Sequence, residues 1–455
     1  MRKRKFLVII FIFLCLLMTV GLYFLPPIHD RVAWRLDGLV TQIKYKLNPP
    51  EEAVFVPAQK TPAAIAPSAT ALPAAQSTST QSGPTLTATP AVSPTITPTP
   101  LPGTVSLEGV VYVDQFNRWN YCGPANLAMA LRFWGWKGLP GRTEDMRDQI
   151  AKAIKPGANE PDKPFIDRGK TDKNVMPYEM ANFVIDETPY NVLVRYGGDM
   201  DLIKRLIAAG FPILIEKGYY ERDYTGKVAW LGHYSFVTGY DDEKNVFIYQ
   251  DSYPPEKVSG ENREISYADF NEGWRSFDYI FMLVYPPERD AELYGLLGDW
   301  GDPAWANQHA LDIANEEVQS LNGIDAFFAW FNKGTSHVNL TQYGEAAEAY
   351  DRAFDIYAGL GEDDKQRPYR MMWYQTGPYK AYYYTGRYQD VINLANVTLD
   401  TVSDKSLEES IYWRGMAEQA LGDTAAAIAD FRMTVYLNSS FTPGIEALIN
   451  LGVQP

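Results

Sequence analysis

A chain of 455 residues with 46% hydrophobic content can bury more than one core, so two folded domains are expected. The net charge is −15 although the chain starts Arg2-Lys3-Arg4-Lys5, so the remainder is strongly acidic, which argues against a nucleic-acid partner.

The basic start runs into an apolar stretch from Phe6 to Leu25. About 20 such residues span a bilayer as a helix, and the positive flank keeps the N-terminus inside. No small-x-small cleavage pattern follows before Pro26-Pro27, so residues 1–25 read as an uncleaved anchor rather than a removable signal. Cys15 follows Phe13-Leu14, unlike a lipidation site, and reads as membrane-helix filler. The expected location is the cell membrane, single-pass, with the N-terminus cytoplasmic and the bulk outside. In 26–52, Trp34, Leu36, Leu39 and Ile43 fall on one helical face, which suits either a membrane-surface helix or a plain spacer.

From 53 to 103 the chain is rich in Pro, Ala, Ser and Thr, with Lys60 its one basic residue and Phe55 its one aromatic. No core is expected there. The composition predicts a disordered, partly polyproline-II stalk whose extended limit is about 150 Å. Thr-Pro alternation, as in Thr95-Ile96-Thr97-Pro98, suits O-glycans.

Strand-like runs such as Pro212–Ile215, Tyr234–Thr238 and Val246–Tyr249 mark 104–287 as an α+β domain. After Pro286-Pro287 the pattern is helical, and 288–455 reads as all-α.

Cys122 is the one cysteine outside the N-terminal apolar segment, so it has no disulfide partner in cis there. It precedes apolar residues at helical spacing, with Pro124 suited to a first turn. A thiol at a helix start meets free N–H groups and a positive dipole end, which favour the thiolate. The Cys122 N–H supplies half of an oxyanion hole; Gln115 could supply the other half, with Asn117 and Asn120 as competing donors.

A thiol also needs a base. His29 lies beside the membrane segment and His309 and His337 lie in the helical part, which leaves His233. It opens a strand that ends at Asp241-Asp242-Glu243-Lys244, and Val246–Asp251 reads as the return strand. A turn centred on Asp242 sets His233 opposite Asp251, whose carboxylate can orient an imidazole.

Gln115, Tyr-Cys122-Gly-Pro-Ala, Gly210-Phe-Pro-Ile-Leu-Ile, Gly-His233-Tyr-Ser-Phe-Val-Thr-Gly-Tyr-Asp and Tyr-Gln-Asp251 stand in the motif order of a known family. Over about 105–287 the chain resembles papain-like cysteine peptidases of the bacteriocin-processing type, cysteine-peptidase family 39, in their free-standing form. The resemblance implies Cys122 as nucleophile, His233 as general base and acid, Asp251 as its orienter and Gln115 as oxyanion donor. Gln115 stands farther from the cysteine than is typical, and the exporters' membrane bundle and nucleotide loop are missing, so double-glycine cleavage is not carried over.

In the helical part, Gly334, Ala346, Tyr350 and Ala353 recur in spacing as Tyr379, Val391, Ala395 and Thr398, then as Gly415, Ala427, Phe431 and Thr434. Small residues let paired helices approach while an aromatic fills the gap. The pattern resembles tetratricopeptide repeats, with a weaker unit around Gly298–Val318 and a capping helix at Thr442–Leu451. His337 suits packing better than ligation.

The expected whole is a membrane-tethered, outward-facing cysteine peptidase acting on a peptide or protein, with repeats that recruit substrate or partner and no metal or cofactor. Two alternatives are a thiol transpeptidase or amidase on envelope peptides, and a non-catalytic scaffold.

Overall fold

The computed structural model describes residues 54–58 and 100–455, apart from 117, 119, 157–174, 223–227, 256–257, 362–365 and 403–404, together with isolated positions between 18 and 47. The expected anchor and most of the linker lie outside the described residues. Among those described, no helix is long and apolar enough to cross a membrane.

Strands β1 (Thr104–Ser106), β2 (Asn191–Arg195), β3 (Ile213–Arg222), β4 (Val228–Asp241), β5 (Val246–Gln250), β6 (Arg263–Ser266) and β7 (Phe281–Tyr285) form one antiparallel sheet. Its order is β2-β7-β3-β4-β5-β6, with β1 on β4. Period-two side chains in Ile213-Leu214-Ile215 and Phe281-Met282-Leu283-Val284 send apolar groups to both faces, so both faces must be covered. Helices α1 (Cys122–Phe133), α2 (Met146–Ile154) and α3 (Pro177–Glu187) cover one face, where Leu127, Met180 and Phe183 meet Leu214, Phe236 and Met282. On the other face α4 (Met200–Ala208) and α5 (Tyr267–Arg275) set Leu202, Leu206, Phe270 and Trp274 against Ile213, Ile215 and Phe281.

After β7 the described chain is helical: α6 (Asp290–Leu297), α7 (Pro303–Ser320), α8 (Gly323–Asn339), α9 (Tyr343–Gly359), α10 (Met371–Tyr374), α11 (Gly377–Tyr384), α12 (Tyr388–Asp400), α13 (Glu408–Ala420), α14 (Thr424–Leu437) and α15 (Thr442–Asn450). The coarse architecture is therefore an α+β domain followed by a helical region. The small-to-aromatic spacing has a direct cause in α8/α9 and α13/α14. A Cβ on Gly334 would lie 2.6 Å from the Tyr350 ring, and one on Gly415 2.9 Å from Phe431. The middle pair inverts the scheme, with Tyr379 large and Ala395 small, both fully buried.

The helical region shares a core with the sheet. Trp230 and Phe277 pack with Phe328 and Tyr374, and Asn332 donates to the Arg275 carbonyl at 2.7 Å. A buried charge cluster crosses the same junction. Lys155, after α2, bonds Glu408 of α13 and lies 3.2 Å from Glu179 of α3, while Tyr178 donates to Glu409 at 2.9 Å.

One linker expectation does not hold. Phe55 is 3% exposed, seated edge-on against Phe354 of α9 with ring centroids 5.0 Å apart. Composition averaged over 53–103 hides it, because one aromatic needs only a ready-made groove, not a core of its own.

Lys155→Ala strands buried carboxylates without their cation, and a loss of about 3 kcal/mol or more is expected. Equilibrium urea unfolding would read it as a lower midpoint, and an unchanged midpoint would contradict a stabilising role for the cluster.

Candidate active site

Cys122 is the first residue of α1, whose alanines favour helix and pack in the interior. Ala125 N–H bonds the Tyr121 carbonyl at 2.8 Å, closing the first turn. The Cys122 N–H thus lies outside the helical ladder. Asn126, one turn on, is fully buried and ties the helix start down: its amide donates to the Cys122 carbonyl at 2.8 Å, the Tyr234 carbonyl at 3.0 Å and Ser252 Oγ at 3.3 Å.

His233 lies in β4, opposite Lys217 of β3, with its ring edge-on to Tyr219. Its Nε2 is 3.0 Å from Asp251 Oδ1, and the Cys122 thiol is close enough for the two groups to shift each other's titration. Asp251 is held from several sides. Tyr253 N–H donates to the same oxygen at 3.0 Å, Arg263 Nε lies 3.5 Å from the other, and Tyr112 Oη donates to the Asp251 carbonyl at 2.8 Å.

The expected pairing register needs correction. Asp241 pairs with Val246, so the turn takes four residues, closed by Asp241 Oδ1 accepting from Glu243 and Lys244 N–H and by Asn245 at φ 56°. A bulge between Val237 and Gly239 then shifts the ladder, which ends at Phe236↔Gln250. Asp251 is therefore one step past the paired strand and diagonal to His233, a separation that long polar side chains bridge.

The charges settle accordingly. Burial pushes the Cys122 thiol up, but the hydrogen bond and charge of His233, with the Tyr234 and Gly123 N–H groups, bring it below its ordinary range. Burial lowers His233, and its bonds to Asp251 and Cys122 outweigh that, raising it to about 9. Burial raises Asp251, yet His233, Tyr253 N–H and Lys217 bring it down to about 2. These directions favour a thiolate–imidazolium pair backed by a carboxylate.

Gln115 is buried and reaches the same network through Ser252, whose Oγ donates to Gln115 Oε1 at 3.0 Å, leaving the amide nitrogen as a donor. The Asn120 side-chain nitrogen is buried with no hydrogen-bond partner among the described residues, and Asn117 lies outside them. His337 bonds Gln342 in the helical region.

Several neighbours carried no sequence signal. Ser252 and Asn126 are visible only once their contacts are known. Glu216, opposite Tyr234, is buried, and burial together with the nearby Cys122 charge pushes its carboxyl well up. Tyr374, from α10 of the helical region, packs on Gly232, where an added Cβ would lie 2.9 Å from its ring. Glu216 and Tyr374 line a cavity of about 520 Å³, with Met176, Tyr178, Gln375 and Lys380. Its walls come from both parts of the chain.

A helix-start thiol paired with an imidazole and a carboxylate beside an antiparallel sheet is the equipment of covalent acyl chemistry, and the protein is a cysteine peptidase. Residues 107–281, less than half of the chain, match the model of the Peptidase_C39 like family. A solved C39-like peptidase from Bacillus anthracis is similar at 17% identity, over 40% of this chain and 96% of its own, with a TM-score of 0.29. Xylellain, a cysteine protease from Xylella fastidiosa, is similar at 17% identity, over 41% and 87%, with a TM-score of 0.26. Among curated proteins there is no match.

Alkylation of Cys122 by iodoacetamide tests the pairing. The thiolate persists below the ordinary thiol range because His233 is protonated beside it, and the pair is lost as pH rises through about 9, where His233 gives up its proton. In His233→Ala only burial and two N–H groups act on the sulfur, so its pKa rises, and the alkylation rate at pH 7 is expected to fall about tenfold or more. Superimposable rate–pH curves for the two proteins would overturn the pairing.

Proposed function

We propose that Cys122, His233 and Asp251 act as nucleophile, general acid–base and orienter in peptide-bond hydrolysis, with Gln115 and the Cys122 N–H receiving the oxyanion. The observation that carries this reading is the 3.0 Å contact of His233 with Asp251, with Cys122 at the start of α1 as the ring's electrostatic neighbour. The thiolate adds to the peptide carbonyl carbon, forming a C–S bond, and the carbonyl oxygen takes the negative charge between the two donors. His233 passes its proton to the leaving nitrogen as the C–N bond breaks. Neutral His233 then takes a proton from water, which attacks the thioester, and the departing thiolate restores the ion pair.

The cavity lined by Glu216 and Tyr374 suits a substrate side chain, with apolar walls from Met176 and Tyr374 and the Lys380 amine among its polar groups. The helical hairpins form a tetratricopeptide-like array that recruits substrate or a partner protein, which the Gly334–Tyr350 and Gly415–Phe431 contacts support. In this reading residues 1–25 anchor the chain in the cell membrane and 104–287 and 288–455 work outside it, supported by the basic start and apolar run.

Cleavage of a peptide library in ¹⁸O-labelled water tests the reaction: hydrolysis leaves a labelled carboxylate, whereas transfer to an amine does not. Cys122→Ala is expected to abolish turnover, Asp251→Asn to lower kcat by about a hundredfold or more, and Gln115→Ala by about 10²–10³-fold. Undiminished turnover in Cys122→Ala would overturn the mechanism, and a larger loss in Asn120→Ala than in Gln115→Ala would move the oxyanion role to Asn120.

A further inference from the structure

Val54–Ala58 lies outside any helix or strand, and its residues alternate: Phe55 and Pro57 are buried, while Val56 and Ala58 are exposed. The Phe55 ring sits among Phe354 and Tyr357 of α9, Met371 and Met372 of α10, and Leu394 of α12, with Tyr382 of α11 at 6.1 Å between centroids. About 30 Å³ of space remains beside the ring, room for about one water molecule. Ala58 N–H donates to Asp390 Oδ1 at 2.9 Å. That acceptor does not depend on the segment for its position. Asp390 is 1% exposed, and its other oxygen is bonded at 2.9 Å by Arg387, which also holds Asp351 at 2.8 Å.

We propose that this groove is a binding site for a peptide of the form aromatic-x-Pro-x, and that the chain's own Val54–Ala58 occupies it in cis as a removable latch. Each position of the motif has a reason. The aromatic fills the apolar pocket, proline adds apolar contact without an N–H to satisfy, and the next residue donates to a preset carboxylate. Two buried side chains and the Ala58–Asp390 hydrogen bond make a weak ligand in trans, since ordering a short peptide offsets much of what Phe55 burial contributes. Tethering raises the effective concentration to the order of millimolar, which suffices in cis.

The groove lies wholly on the helical region, so the site stands whether or not Cys122 cleaves peptides. It also alters the role of the linker. Both ends of 59–99 attach to the folded body, one at the groove and one at β1, so the peptidase stays beside whatever carries residues 1–53.

The test is fluorescence anisotropy of a labelled peptide with the sequence of residues 52–60, titrated into the full-length chain and into full-length Phe55→Ala. The variant, with its groove vacated, is expected to bind the peptide at least about tenfold more tightly than the wild type, where the latch competes. The same peptide carrying Phe55→Ala is expected to bind neither protein. Equal binding to both proteins, or none to the variant, would overturn the proposal. So would a Phe55→Ala chain that loses its helical circular dichroism, because a removable latch leaves the domain folded.

Discussion

The coupling of His233 to Asp251 and Cys122 is the interaction on which the rest of the site depends. Neither partner alone explains its charge. Burial favours the neutral ring, and Asp251 and the Cys122 thiolate together reverse that preference. The three groups come from a helix start, a long strand and the residue beyond a shorter one, so no local segment contains the site. The sheet is the device that brings them together. Its two apolar faces require helices on both sides, and the helix covering one face carries the cysteine at its first residue.

Chain parity explains why the arrangement could be read from sequence although its details could not. His233 and Asp251 were expected opposite each other about a turn centred on Asp242, whereas the true turn is longer. Continued unchanged, the register of Asp241↔Val246 would set Asp251 opposite Phe236, on the other face from His233. The bulge after Val237 removes one residue of that offset, and a two-residue slip keeps the face. The alternation of apolar residues announced both strands; the bulge left no mark in composition or spacing. Gln115 shows the same limit from another side. Its distance from Cys122 along the chain says little, because it reaches the site through Ser252, on the far side of the sheet connection.

Helical periodicity made the C-terminal helices legible, and the recurring glycine and aromatic positions mark where two of the hairpins touch. What escaped is everything that depends on how those hairpins meet the rest. Tyr374 against Gly232, Lys155 among Glu179 and Glu408, and Phe55 in its groove are contacts between segments far apart in sequence. Each is a single side chain meeting a surface built by other residues. Pattern reading detects repeated residues, so it is blind to a lone one.

Two of these contacts, those of Tyr374 and of Phe55, converge on α10, a helix of four residues that belongs to neither regular hairpin. Met371 and Met372 line the groove that takes Phe55, and Tyr374 stands against the glycine that precedes His233. A helix this short has almost no stability of its own, since its few hydrogen bonds do not offset the cost of nucleation. Its shape is therefore imposed by what packs on it: the sheet through Trp230 and Phe277 on one side, and the aromatic groove on the other. Buried side chains at van der Waals contact leave little slack. Phe55 in its groove is thus part of the packing that fixes the Tyr374 wall of the cavity, and that cavity is a property of the whole folded chain rather than of the α+β domain alone.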